Sequence, residues 1–203
     1  MAWTGLAAAL LLAGCMSTMS TSNGDRPLNR EMVMARVADW APASREAVMF
    51  MADKYGPPAE LTPTMAVWGQ TGPWKRTIIS ARETPHNFPG PHPDVMEQVI
   101  DYRVPPEMMD EITAYDGSVI FERTKGELSA RCDKEGANFL ALNLADEIVR
   151  GARTVEEARA EYARQIMAMK AGQPAPLTER LMFTPRTGTA DPDQPPAMSG
   201  AGR

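Results

Sequence analysis

The sequence predicts an α+β domain, with an antiparallel sheet of about five strands and helices packed on one of its faces. Three observations lead there. Apolar residues recur at helical spacing near both ends of the chain and change to an extended, alternating pattern in the middle. The extended stretches are joined by short turn sequences, Gly69-Gln70-Thr71-Gly72-Pro73 and Thr124-Lys125-Gly126, which suit hairpins and therefore antiparallel pairing. No alternating strand-helix repeat is present, and neither GxGxxG nor GxxxxGKS/T occurs, so nothing supports a nucleotide-binding architecture.

Asn29 is placed to cap a helix running to about Trp40, with Val33, Val37 and Trp40 on one face. Pro42 interrupts, Ser44 offers the next cap, and residues 45–55 set Val48, Ala52 and Tyr55 in a stripe that Gly56-Pro57-Pro58 ends. Residues 64–68 and 74–81 read as a strand pair about the first turn. Residues 85–94, Pro-His-Asn-Phe-Pro-Gly-Pro-His-Pro-Asp, hold both histidines of the chain among prolines that fix φ, which predicts a stiff loop outside regular structure. Residues 95–104 then alternate, with Ile100, Tyr102 and Val104 opposite Glu97, Asp101 and Arg103.

Pro106 opens a short helix over 107–115, its acids placed early where the helix dipole favours them. Residues 118–123 and 127–132 form the clearest hairpin, and Leu128, Ala130 and Cys132 share one face, which puts the thiol among apolar neighbours. Asp133 offers a cap for a helix to Arg150, whose stripe of Ala137, Leu140, Leu144 and Ile148 predicts burial against the sheet. Thr154-Val155-Glu156-Glu157 is a capping box, opening a helix to about Ala171 with Val155, Ala158, Tyr162, Ile166 and Met169 inward. The domain is therefore expected to span 29–183, with 184–203, rich in Pro, Gly, Thr and Asp, disordered.

Ahead of the domain, an apolar run from Leu6 ends in Leu12-Ala13-Gly14-Cys15. These four residues resemble the lipobox of bacterial lipoproteins. The resemblance implies that residues 1–14 are a signal peptide, that Cys15 becomes the acylated amino terminus, and that palmitate-type chains anchor the protein to a membrane. It places the protein in the bacterial cell envelope, facing the periplasm, and Met16 rather than Asp after the cysteine points to the outer membrane. The run is shorter than the roughly 18 apolar residues of a transmembrane helix. Each buried methylene of an acyl chain adds about 0.8 kcal/mol, so two or three chains hold a protein to a bilayer almost irreversibly. Residues 15–28, rich in Ser, Thr and Met, read as a flexible tether. The chain has two cysteines, so acylation of Cys15 leaves Cys132 without a disulfide partner. Residues 44–80, with a helix, the Gly56-Pro57 stop and a strand bearing Trp68, are faintly similar to small envelope lipoproteins of the SmpA/OmlA kind, which implies a role beside outer-membrane protein assembly.

The net charge of −5 and the scattered basic residues exclude a continuous positive track for nucleic acid. The best metal-ligating set is His86, His92 and Asp94, with Cys132 as a distant fourth, since imidazole, carboxylate and thiolate suit zinc or copper; the alternative is a proline-rich loop that caps the sheet edge with solvated histidines. A catalytic Cys-His pair needs an exposed thiol of lowered pKa, which the apolar face of Cys132 opposes. Trp68, Trp74, Lys75 and Arg76 flank one turn and form a candidate partner-binding cluster; the alternative is a Trp pair pinning the hairpin across its strands. The pairs Met32/Met34, Met49/Met51 and Met167/Met169 fall in predicted helices, where residues two apart diverge, so they read as packing residues rather than cuprous ligands. Neither GxSxG nor HExxH occurs. The leading expectation is a non-enzymatic envelope lipoprotein that binds another envelope component; the alternative is a small-ligand or metal protein built on the His86 to Asp94 stretch.

Overall fold

The computed structural model describes residue 1 and residues 28–196; the lipobox, Cys15 and nearly all of the tether lie outside the described residues. Two helices open the domain. Helix α1 (Arg30–Arg36) is capped by Asn29, whose Oδ1 accepts from the Met32 amide at 2.9 Å. Helix α2 (Pro42–Tyr55) begins at the proline and not after Ser44. Proline suits a first helical position because its fixed φ is already helical and its missing N–H would have had no partner. Gly56 ends α2 at φ 87°, a conformation that side-chain-bearing residues rarely adopt.

Six antiparallel strands follow: β1 (Glu60–Leu61), β2 (Met65–Trp68), β3 (Arg76–His86), β4 (His92–Asp101), β5 (Val119–Glu122) and β6 (Glu127–Cys132), in the order β1-β2-β3-β4-β6-β5. The strand beyond the expected five, β1, is two residues long and too short to show a period. Helix α3 (Met109–Tyr115) lies between β4 and β5, and α4 (Glu135–Val149) and α5 (Val155–Lys170) follow β6. The Thr154 capping box is present with both of its hydrogen bonds. On β4, Met96, Gln98 and Ile100 share one face. There Gln98 meets Met51 of α2 and Asn138 of α4, which sets both helices on the same side of the sheet. The α+β architecture with helices on one face is thus the observed one.

Beneath the helices the core has two parts. One joins α3, α4 and α5 to Trp74, Ile100 and Leu128; the other joins α1 and α2 to Trp68, Ile79 and Met96. Where they meet lies Glu135, at the start of α4. Its buried carboxylate accepts from Trp74 Nε1 at 2.8 Å, Tyr55 Oη at 2.9 Å and Gln98 Nε2 at 3.3 Å, and pairs with Lys54. A buried carboxylate is tolerated only with such partners, and a first helical turn favours the negative charge. Asp133, expected to cap α4, instead accepts from Cys132 Sγ at 3.5 Å, and the residue at the cap position is Lys134.

The expectation that Trp68, Trp74, Lys75 and Arg76 form an exposed contact surface is corrected. Trp68 and Trp74 are 2% and 0% exposed, because both indoles turn beneath the helices. Trp68 donates to the Gly56 carbonyl at 2.8 Å, so the helix stop and the tryptophan-bearing strand are tied by local packing. Trp74 stacks on Phe139 at 4.7 Å. The two rings belong to different parts of the core, so they do not form a cross-strand pair either. Lys75 and Arg76 lie in ion pairs with Asp101 and Glu127, with Arg76 bidentate on Glu127 at 2.8 and 2.6 Å.

The expectation of disorder from residue 184 is also corrected for part of that segment. Thr189 Oγ1 donates to the Gly126 carbonyl at 2.6 Å, the Asp191 amide donates to the Arg123 carbonyl at 3.2 Å, and the Asp191 carboxylate lies 3.3 Å from Arg103. Gly126 has φ 66°, and a Cβ there would overlap the Thr189 carbonyl, so the hairpin turn accepts this strap because it carries no side chain.

Arg76 and Lys75 hold the Glu127 carboxyl down at about 2, from an ordinary 4.5, against the opposing effect of burial. A depressed carboxylate stabilises the fold fully above its unfolded pKa and loses that contribution as pH falls through the folded one. Glu127→Gln is therefore expected to cost up to about 3 kcal/mol at neutral pH. In urea melts its deficit against wild type should shrink between about pH 4.5 and 2; a deficit independent of pH would show that the carboxylate charge is not what stabilises.

Candidate metal centre

The site is made by a hairpin that runs on past the sheet. After Ile79 the pairing of β3 with β4 shifts at an irregularity and resumes as Thr84↔Asp94, Pro85↔Pro93 and His86↔His92. The stretch 85–94, expected to lie outside regular structure, is strand at both ends, and only residues 87–91 form the irregular tip. Proline is admitted at such places because, where a ladder needs no donor, its missing N–H costs nothing. The tip is anchored by Phe88, whose ring lies 5.0 Å from that of Tyr162 on α5 and 6.3 Å from Tyr115 on α3, with the Arg159 guanidinium 3.9 Å above it.

This register converts a sequence spacing into a cluster. His86 stands opposite His92, and Asp94, two residues on, points to the same face as His92. The imidazole centroids are 4.9 Å apart. Asp94 is 1% exposed; its Oδ1 lies 3.3 Å from His92 Nε2 and its Oδ2 3.5 Å from His86 Nδ1. Ser118 Oγ donates to Oδ2, and Arg131 Nε stands 3.7 Å away. Oδ1 itself accepts no hydrogen bond of good geometry. On the far side of His86, Nε2 lies 3.6 Å from Asp116 Oδ1.

His92 Nδ1 lies 2.8 Å from the Gly90 carbonyl, which makes Nδ1 the donor and directs Nε2 at Asp94. The Asp94 carboxylate first, and then Cys132, raise the His92 pKa to about 11, against burial. Burial raises Asp94, but His92, Ser118 and His86 outweigh it and leave the carboxyl below its ordinary range. Asp116, buried beside them, is pushed up. Burial also pushes the Cys132 thiol up, His92 opposing. At 5% exposure and with a raised pKa, Cys132 is not an activated nucleophile.

One donor atom from each of His86, His92 and Asp94 lies within 4.8 Å of the other two. Zinc bonds to nitrogen and oxygen of about 2.0–2.2 Å set tetrahedral donors roughly 3.3 Å apart; the His–Asp separations of 3.3 and 3.5 Å run to different oxygens of Asp94, so the single-donor set, within 4.8 Å, would draw together around an ion. The hydrogen bond from one His92 nitrogen to a backbone carbonyl is the outer contact that orients a ligating imidazole. Three ligands leave a coordination position open. Cys132, the distant fourth, falls outside the compact set and interacts with His92 alone among its members. Asp116 and Ser118 carried no sequence signal, since the α3–β5 connection reaches the hairpin only in the folded chain. Nothing matched this chain in comparisons with protein-family models, curated proteins and solved structures.

A histidine whose pKa is raised on folding contributes stability that is complete below 6.5 and is lost as pH rises through about 11. In metal-free protein the His92 ring resonances are expected to show no titration between about pH 6 and 9. Asp94→Asn should bring the midpoint back toward the ordinary range; a wild-type midpoint near 6.5 would contradict the geometry around Nε2.

Proposed function

We propose that this chain is a lipid-anchored protein of the bacterial envelope whose domain binds one zinc or copper ion between His86, His92 and Asp94. The supporting observation is the convergence of both histidines of the chain on one buried carboxylate, whose Oδ1 faces His92 Nε2 without a hydrogen bond of good geometry. A buried acceptor with no hydrogen-bond partner is costly unless a cation or proton serves it. His92 holds a proton there when no metal is bound, and a divalent ion would take its place.

The activity supported is metal binding, and the buried Cys132 thiol, its pKa raised, supplies no activated nucleophile beside the site. The lipobox ending in Cys15 supports the anchor. No helix among the described residues is long and apolar enough to cross a membrane. The burial of the Trp68 and Trp74 indoles weighs against the leading expectation of a partner held through these two rings.

Protein purified without chelator is expected to carry about one zinc or copper per chain, by the three-ligand stoichiometry of such sites. Zinc should raise the melting temperature of stripped protein, and His92→Ala and Asp94→Asn should abolish the shift. Because His92 must lose a proton, apparent affinity should rise with pH, by up to about tenfold per unit. No bound metal and no thermal shift with either ion would remove this reading. For the anchor, mass spectrometry of membrane-fraction protein should find Cys15 as an acylated amino terminus; a bare thiol behind an intact leader would refute it.

A further inference from the structure

Beside His92 lies a pocket of about 360 Å³, within the range of small-molecule sites, whose lining includes none of Asp94's other partners. We infer that it binds a small amphipathic carboxylate, an aliphatic body with one anionic end. Pro89 and Pro91 of the hairpin tip line the pocket, together with Tyr162, Ile166 and Met169 of α5. The three helix residues are spaced four and three apart, so they present one continuous apolar stripe. The core covers this stripe at Tyr162 but leaves Met169 37% exposed, so its apolar surface is not used up by folding.

The polar groups around the pocket select the other end of the ligand. Lys134 and Lys170 line it, and its one carboxylate, Asp133, is engaged by Cys132 Sγ and by Lys134 at 3.8 Å. Lys134 is also paired with Glu46 at 2.5 Å, whereas Lys170 makes no ion pair among the described residues. A free ammonium beside an apolar wall favours an anion over a neutral molecule. Tyr162, 2% exposed, adds an aromatic wall to the pocket. Apart from His92, none of these residues belongs to the proposed metal set, so the inference stands apart from that reading.

Calorimetric titration of chelator-stripped, full-length protein with hexanoate, octanoate and decanoate tests it. Affinity is expected to strengthen about fourfold per methylene, the factor that corresponds to burying one CH₂. Met169→Trp, on the exposed last turn of α5 where folding tolerates it, and Ile166→Trp should each weaken octanoate at least roughly tenfold by filling the pocket. Lys170→Gln should weaken octanoate several-fold and leave octanol unchanged. Affinity that ignores chain length, or that neither tryptophan variant moves, overturns the inference, as does octanol binding as tightly as octanoate. Octanoate that binds only after zinc is restored overturns it too, by assigning the carboxylate to the metal. Octanoate that binds while zinc does not would support the pocket and count against the metal reading alone.

Discussion

Glu135 carries a carboxylate into the middle of the domain, between the two halves of its core. An unpaired charge there would cost several kcal/mol, so the surrounding elements are bound to supply donors. They come from separate parts of the chain: Lys54 and Tyr55 from the end of α2, Trp74 from the turn before β3, and Gln98 from β4. Gln98 in turn accepts from Asn138 on the next turn of α4, which also donates to the Met96 carbonyl. The packing of α2 and α4 over the same strands is thereby fixed by geometry as well as by apolar burial. A purely apolar interface would have allowed the helices to slide.

That placement has consequences at the other end of the sheet. With α4 fixed, α5 packs against it and α3 against α5, and α3 presents Tyr115, and α5 Arg159 and Tyr162, to the hairpin tip. Phe88 enters this aromatic setting and draws the prolonged β3–β4 hairpin over the α3–β5 connection. Ser118 and Asp116 then meet Asp94 and His86. The candidate metal centre is therefore a product of helix packing transmitted through one phenylalanine, and the apolar pocket is the space that remains between the same tip and the outer end of α5.

Much of the fold was legible because its signals are local. The Asn29 cap, the capping box at Thr154, and the shared face of Leu128, Ala130 and Cys132 depend on residues within a few positions of one another. The three candidate ligands were legible for a chemical reason: two imidazoles and a carboxylate in ten residues. Their convergence was not, because proline argues against strand wherever a ladder needs a donor, and nothing local announces that Pro85 and Pro93 face each other where no donor is required. The tryptophans misled in the opposite sense. An aromatic and basic cluster around a turn looks like a contact surface until folding buries its indoles beneath the helices and pairs its cations with carboxylates of β4 and β6.

By itself the sequence determined the α+β class, the order of helices and hairpins, the nominated ligands, and a lipobox-like segment whose chemistry is written in four consecutive residues. Only the tertiary structure decided that Glu135 is a buried hub, that residues 189–191 strap the β5–β6 turn, and that His86, His92 and Asp94 gather with Asp116 and Ser118. The physical reason is range. Caps, turns and periodicity are set by neighbours along the chain, whereas pairing a buried charge or closing a ligand set depends on which distant segments the core brings within a few ångströms.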